Sequence, residues 1–263
     1  MISVIIPAHD EAGYIGDCLE ALLASRDVSL QVIVVANACR DATAEVARGF
    51  GVSVIETPRP GKLNALNLGE AQATGSVLAY LDADVVVSPG LMARLAEALA
   101  ADRPLYASGT PVVVARSAFS RVYARFWARL PFVTEGVPGF GLFAVNRAGR
   151  ARWQAFPEII SDDTFVRLSF APQERIRVAE SYCWPMIDGF INLVRVRRRQ
   201  DRGVAEIARL FPELLANDDT VKPGAVRMLA LSLRDPLGFA AYGLVRLAVR
   251  TPYARSEGWT RGR

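Results

Sequence analysis

Histidine is nearly missing from this chain: His9 stands alone among 263 residues. A Ser-His-Asp triad, or a histidine-based metal site that does not use His9, is thereby excluded. At a strand end, His9 can pack a loop or face whatever the strand ends bind. Cysteine is sparse as well. Cys18, Cys39 and Cys183 lie far apart, with no CxxC pair, which argues against a disulfide framework and a structural zinc site and suits a reducing cytoplasm. Long apolar runs are missing too. The stretch Leu237 to Val249 is thirteen residues long and contains Arg246, too short and too charged to span a bilayer. Met1 to Pro7 has no basic n-region and reads as a first strand rather than a leader. There is no G-x-G-x-x-G after that strand and no GxxxxGK[ST], so a dinucleotide oxidoreductase and a P-loop NTPase are set aside. Internal repeats and low-complexity linkers are also missing.

What is present is apolar mass and an uneven charge. Hydrophobic residues make up 51% of the chain and charged ones 22%, enough for a substantial core. The net charge is +4, but from Arg195 to Arg263 fourteen Lys/Arg face seven Asp/Glu. The tail is therefore basic and the remainder slightly acidic. A basic tail suits an anionic partner such as a diphosphate or a lipid surface. No nucleic-acid-binding motif accompanies it.

Continuous apolar runs at Ser3–Ala8, Gln31–Ala36, Ser53–Glu56 and Val77–Leu81 have the pattern of strands buried on both faces. Helical spacing follows each, as at Ile15, Leu19, Leu22 and Leu23, at Ala44, Val46 and Ala47, at Leu63 to Ala73, and at Pro89 to Ala101. The alternation predicts an α/β fold with a doubly wound, mostly parallel sheet. Ligands of such sheets sit at the carboxyl ends of the strands, where Ala8 to Glu11, Asn37 to Asp41 and Asp82 to Asp84 all fall. Further strands are expected at Leu105–Val114 and Leu142–Val145, with a helical turn at Asp163–Phe170. From Val204 the pattern is helical, interrupted at Pro212, Pro223 and Pro236.

Asp82-Ala83-Asp84 follows a buried strand directly. Two carboxylates one residue apart, where the chain leaves the strand, can converge on one ligand. Such hard oxygens suit Mg²⁺ or Mn²⁺, or else they cap the next helix. Asp162 and Asp163 open a helix, where a pair of carboxylates serves either catalysis or the helix dipole.

Val4-Ile5-Ile6-Pro7-Ala8-His9-Asp10-Glu11, the Asn37-to-Asp41 loop, Gly61-Lys62-Leu63-Asn64-Ala65-Leu66-Asn67 and Leu81-Asp82-Ala83-Asp84 occur in this order. Together they resemble the inverting family 2 glycosyltransferases of the GT-A fold, over roughly residues 2 to 203. The resemblance implies a catalytic domain at 1–203, with a nucleotide-binding half at about 1–104 and an acceptor half at about 105–203. A helical, basic C-terminal extension at 204–263 follows. It implies nucleotide-sugar binding by Pro7, Ala8, Asp10, Glu11, Asn37, Asp41, Lys62, Asp82 and Ala83. It places a Mg²⁺ or Mn²⁺ ion on Asp84 and Asp82, and a catalytic base on Asp163 beside Asp162. Gly136-Val137-Pro138-Gly139-Phe140-Gly141 is similar to the family's acceptor-side strand, with Gly139, Phe140 and Gly141 facing the acceptor.

Two departures matter. The family's second loop usually opens with one or two aspartates, where this chain has Ala36-Asn37. UDP is the favoured nucleotide, with GDP and dTDP left open. In Arg195-Val196-Arg197-Arg198-Arg199-Gln200-Asp201-Arg202-Gly203, Arg199 takes the place of an arginine that contacts the diphosphate. Gln200 replaces the family's tryptophan, which argues against a processive polymerase. The implied reaction is hexosyl transfer to a glycan or lipid-linked acceptor in bacterial-type cell-surface polysaccharide or glycolipid synthesis. The implied location is cytoplasmic, with peripheral contact of the basic helices on the inner membrane face as one reading and packing on the catalytic domain as the other. The alternatives are a catalytically degenerate nucleotide-sugar-binding protein and a sugar-phosphate nucleotidyltransferase. The latter would want a glycine-rich, arginine-bearing loop where Pro7 to Glu11 stands.

Overall fold

A computed structural model describes residues 1–251. The chain divides into two compact units, one made of 1–112 with 137–184, the other of 113–136 with 185 onward. The second unit thus gathers two separate stretches and begins ahead of the expected extension at 204. Residues 252–263 of that extension lie outside the described residues.

The first unit begins with β1 (Ile2–Ala8), α1 (Ile15–Leu23), β2 (Leu30–Asn37), α2 (Thr43–Gly49), β3 (Ser53–Thr57), α3 (Lys62–Glu70) and β4 (Val77–Leu81). A short strand β5 (Val86–Val87), α4 (Leu91–Ala98) and β6 (Tyr106–Val114) follow. In the second unit come α5 (Ala118–Trp127) and α6 (Pro131–Thr134). The chain then returns to the first unit with β7 (Leu142–Asn146), α7 (Arg147–Arg150), α8 (Asp162–Leu168) and β8 (Arg175–Pro185).

The sheet order is β3-β2-β1-β4-β7-β6-β8-β5. Among the first four strands pairing is parallel, with Pro7 beside Val35 and Ile5 beside Tyr80. Beyond β4 it turns antiparallel, in the β4–β7, β6–β7 and β5–β8 pairs. The parallel strands are buried on both faces because helices cover both, and their sequences are accordingly continuous apolar runs. On α1 the buried residues Ile15, Cys18, Leu19 and Leu22 follow one helical stripe. They join Ile2, Val4, Ile6 and Val34 in the larger core cluster, while Ile33, Val35 and Ala65 pack on the other face of the sheet. The helix expected to reach Ala73 ends at Glu70. Tighter turn bonds, Gln72 N–H to Gly69 O and Ala73 N–H to Glu70 O, close it ahead of Gly75. The strand order reverses between β1 and β4, and the carboxyl ends of β1, β2 and β4 share one edge. That reversal is where open α/β sheets bind ligands.

The second unit adds α9 (Phe190–Leu210), a 3₁₀ turn at Pro212–Asn217, α10 (Ala225–Arg234) and α11 (Pro236–Arg250). Asp235 caps α11 by accepting the Gly238 N–H at 3.0 Å, and it takes two bonds from Arg125 at 2.8 and 2.5 Å. The Arg125 guanidinium holds the Asp235 carboxyl below its usual range. At the other end of α11, Arg198 donates to the carbonyls of Val249 at 3.1 Å and Ala248 at 2.7 Å, in the last turn where carbonyls need partners beyond the helix ladder. Phe126 packs on Phe239 and Tyr242. No helix among the described residues is long and apolar enough to cross a membrane.

Candidate functional site

The site is assembled on the sheet edge that β1, β2 and β4 share. After β4, burial alternates: Leu81, Ala83 and Val85 are buried, while Asp82 and Asp84 between them are half-buried. That alternation places both carboxylates on the open side of the turn. Val85 N–H closes the turn onto Asp82 O at 3.1 Å, and Asp82 N–H bonds Gly141 O at 2.9 Å. Both carboxylates act on the Cys18 thiol beneath them, which burial, then Asp84 and Asp82, push far above its usual range. Two carboxylates on the same side of a hydrogen-bonded turn are a donor set fit for a hard divalent cation.

Lys62, the first residue of α3, joins two parts of the site. Its Nζ lies 2.9 Å from Asp82 Oδ1 and 2.9 Å from Asp162 Oδ2, and the Asp162 side chain is only 7% exposed. Burial works against the ammonium charge, but Asp162 and Asp82 outweigh it and raise the Lys62 pKa. The neighbouring Asp163 has a different environment. Burial first, and the Asp162 carboxylate second, push its carboxyl up to about 6, while Lys62 offsets part of the rise. The Thr164 N–H, 2.7 Å from Asp163 Oδ1, also opposes it. One carboxylate of the pair thus holds the lysine and the other is poised near neutrality, a separation characteristic of acid–base sites.

The loops after β1 and β2 are cross-braced. Asn37 is 3% exposed; its Nδ2 donates to Ala8 O at 2.7 Å and its Oδ1 accepts Gly61 N–H at 3.1 Å. The amide therefore ties three loops together. The position calls for an amide, because a carboxylate could not donate to the Ala8 carbonyl. Asp41 braces in the same way, accepting from Ala12 N–H and Thr43 N–H, each at 3.1 Å, and from the Thr43 hydroxyl. Burial would raise its pKa, but the Thr43 and Ala12 bonds prevail and lower it. Thr43 in turn accepts Glu11 N–H at 2.7 Å. Asp10 accepts Arg40 N–H at 2.5 Å and sits at φ 52°, with Ala38 at φ 49°. Left-handed backbone at two residues with side chains is a strain that surrounding structure must hold in place. Pro7 and Ala8 form the end of β1, with Ala8 buried and Pro7 half-buried.

His9 and Cys39, distant in sequence, meet Asp10 here, their ligand-type atoms all within 4.8 Å of one another. Each also bonds backbone: His9 Nδ1 is 2.6 Å from Asn37 O, and Cys39 Sγ accepts Asp10 N–H at 3.4 Å.

On the far side of Asp82, the expected acceptor-side residues enter the sheet through β7. Gly139 and Gly141 adopt φ values of 70° and 76°. A Cβ would lie 1.8 Å from Tyr106 Oη at Gly139 and 2.5 Å from Trp184 Cδ1 at Gly141. Both positions thus need glycine for conformation and for space. The Phe140 ring lies against Trp184 with centroids 4.7 Å apart. Arg199 lies on α9 in the second unit.

Three positioning groups escaped the sequence reading. Asn67 accepts Phe156 N–H at 2.8 Å and donates to Phe156 O at 3.2 Å, fixing the segment that leads to Asp162. Arg150 reaches both Glu70 oxygens through Nε at 2.8 Å and the Trp153 carbonyl at 2.5 Å. Trp184 backs the Gly141 turn. The available signal for Asn67 was its place in the Gly61-to-Asn67 run that opens α3.

The chain matches the family model for Glycosyl transferase family 2 over residues 3–151. That is more than half its length, and the chain belongs to this family. Glycosyltransferase AglE of Haloferax volcanii is 37% identical over 91 residues, covering 32% of this chain and 30% of that protein. The chain spans 30–41% of the length of the first curated relatives it matches. Among solved structures, the mannosyltransferase PcManGT from Pyrobaculum calidifontis, in complex with GDP-Man and Mn²⁺, gives a TM-score of 0.60 at 21% identity. It covers 95% of this chain and 76% of that one. Glucosyl-3-phosphoglycerate synthase from Mycobacterium tuberculosis, in complex with Mn²⁺, UDP and glucosyl-3-phosphoglycerate, gives 0.58 at 18% identity, covering 84% of this chain and 81% of that one. The fold is GT-A.

Proposed function

We propose that the chain is an inverting, metal-dependent glycosyltransferase that moves a sugar from a nucleotide-sugar donor to a glycan or lipid-linked acceptor. A UDP-sugar is the favoured donor, with GDP or dTDP as alternatives. The setting is bacterial-type surface polysaccharide or glycolipid synthesis, in the cytoplasm with peripheral contact at the inner membrane face. The observation that carries the reading is the Lys62 ammonium, 2.9 Å from both Asp82 and Asp162, which connects the diphosphate side to the carboxylate pair. Solved neighbours holding UDP or GDP-Man with Mn²⁺ support the donor class and the use of a divalent ion.

In this reading Asp84 and Asp82 hold Mg²⁺ or Mn²⁺. The chemistry such an ion supplies when bound is neutralisation of the charge that builds on the departing diphosphate. Lys62 places a second positive charge beside it. Asp163 takes the proton of the acceptor hydroxyl as that oxygen bonds to the anomeric carbon from the face opposite the nucleotide. The anomeric C–O bond breaks, its electron pair leaves with the nucleoside diphosphate, and the configuration inverts. Arg199 is carried over as a diphosphate contact on the resemblance alone. The bracing role of Asn37 is compatible with the transferase reading.

The test is Asp163→Asn, assayed on UDP-, GDP- and dTDP-sugars with and without Mn²⁺. Turnover is expected to fall about 10²–10⁴-fold with donor affinity nearly unchanged. In the unsubstituted chain, kcat/KM should decline as pH drops below about 6, where Asp163 gains its proton. Full activity of Asp163→Asn would remove the base assignment. No metal-dependent nucleotide release from any donor would leave the binding-protein reading.

A further inference from the structure

The second unit carries apolar residues on its outside. On α10, Val226, Leu229 and Leu233 fall at i, i+3 and i+7; on α11, Leu237, Leu244 and Leu247 fall at i, i+7 and i+10. Each of these six is 55–84% exposed. Spacings of three, four and seven residues line up on one helix face, so each helix presents a stripe to solvent. This is not the stripe that packs inward: α11 buries Gly238, Ala241 and Val245 instead. Folding thus leaves α11 apolar on two faces with only one of them used. Single exposed apolar residues are ordinary, but three on each of two helices that pack on each other mark an interaction surface.

The charge beside the stripes names the partner. Neither α10 nor α11 contains an acidic residue, and Asp235 between them is buried under Arg125. Helical geometry places Arg227 and Arg234 at the flank of the first stripe and Arg246 and Arg250 at the flank of the second. Arg227 pairs with Glu135. Arg234, Arg246 and Arg250 form no ion pair among the described residues. Leucines bordered by arginines, on helices too short to span a bilayer, fit a helix pair lying in the headgroup region of an anionic membrane. A second copy of the chain would fit poorly, since its own arginines would be brought against these.

We propose that α10 and α11 form a docking surface for anionic lipid, with the leucine stripes entering the interface and Arg234, Arg246 and Arg250 meeting headgroup phosphates. This rests on the reading above of peripheral contact at a membrane and names the residues and the lipid charge responsible. Its outcome separates from that of the transferase reading, because vesicle binding needs no donor and donor turnover can be followed without vesicles.

The whole chain is sedimented with vesicles of pure phosphatidylcholine, or of phosphatidylcholine containing phosphatidylglycerol, at low and high salt. Binding is expected only with phosphatidylglycerol and to weaken with salt. R234Q/R246Q/R250Q should lower the partition coefficient about 100-fold, at about fivefold per arginine. Leu233→Asp with Leu244→Asp should abolish binding while leaving the melting temperature unchanged, since both side chains are already mostly in solvent. Equal binding to the two vesicle types, or undiminished binding by the aspartate variant, would overturn the proposal. So would a dimer in light scattering that the aspartate variant dissociates, if phosphatidylglycerol vesicles are not bound.

Discussion

The two compact units treat charge and leucine in opposite ways. In the first, leucines and isoleucines fill both faces of a sheet and acidic groups gather at one edge, with Asp10, Asp41, Asp82 and Asp162 each tied to a donor. In the second, a single carboxylate, Asp235, is buried among arginines, and leucines are left outside. Polar groups of the first unit are pinned by geometry, as befits chemistry that requires fixed atoms. The arrangement of the second suits a partner without fixed atoms, which recognises sign of charge and apolar area.

The comparison is broken most severely by Lys62→Met. It strips the ammonium from Asp162, whose carboxylate is almost fully buried; because Lys62 itself is 40% exposed, screening brings the expected cost to about 2–3 kcal/mol in urea unfolding. A loss below about 1 kcal/mol would mean that the pair is solvated rather than pinned. Asn37→Asp should cost about 2 kcal/mol, because it removes the Ala8 bond and sets a carboxylate against a carbonyl; the same denaturation assay reads it. Asp235→Ala should cost about 1 kcal/mol by uncapping α11. The Asp235 pKa is depressed by Arg125, so its contribution is complete above the ordinary carboxylate range. It fades as pH falls through that range and below, and thermal melts from pH 7 to 3 should show the variant and parent converging.

The strands were legible because strands buried on both faces must be continuously apolar, and Val4-Ile5-Ile6 admits little else. Asp82 and Lys62 were legible because the motif order placed them at strand and helix ends. The use of Asn37 was not, since an amide in a loop does not reveal which carbonyl it will meet. Nor was the reach of the helical unit: residues 113–136 join it through contacts such as Phe126 with Phe239, which are distant in sequence. The outward leucines of α10 were hidden for a related reason. An amphipathic pattern records that a helix has an apolar face, not whether the fold covers it.

Asn37 has one more consequence. An amide that donates to one loop and accepts from another has its hydrogen bonds completed within the chain itself. A molecule that seats on this edge therefore meets loops whose conformational entropy has already been removed. Its binding free energy goes into contacts, and its departure need not unravel the edge. The strained backbone at Asp10 and Ala38 is held the same way, so the edge should stay rigid between one occupant and the next.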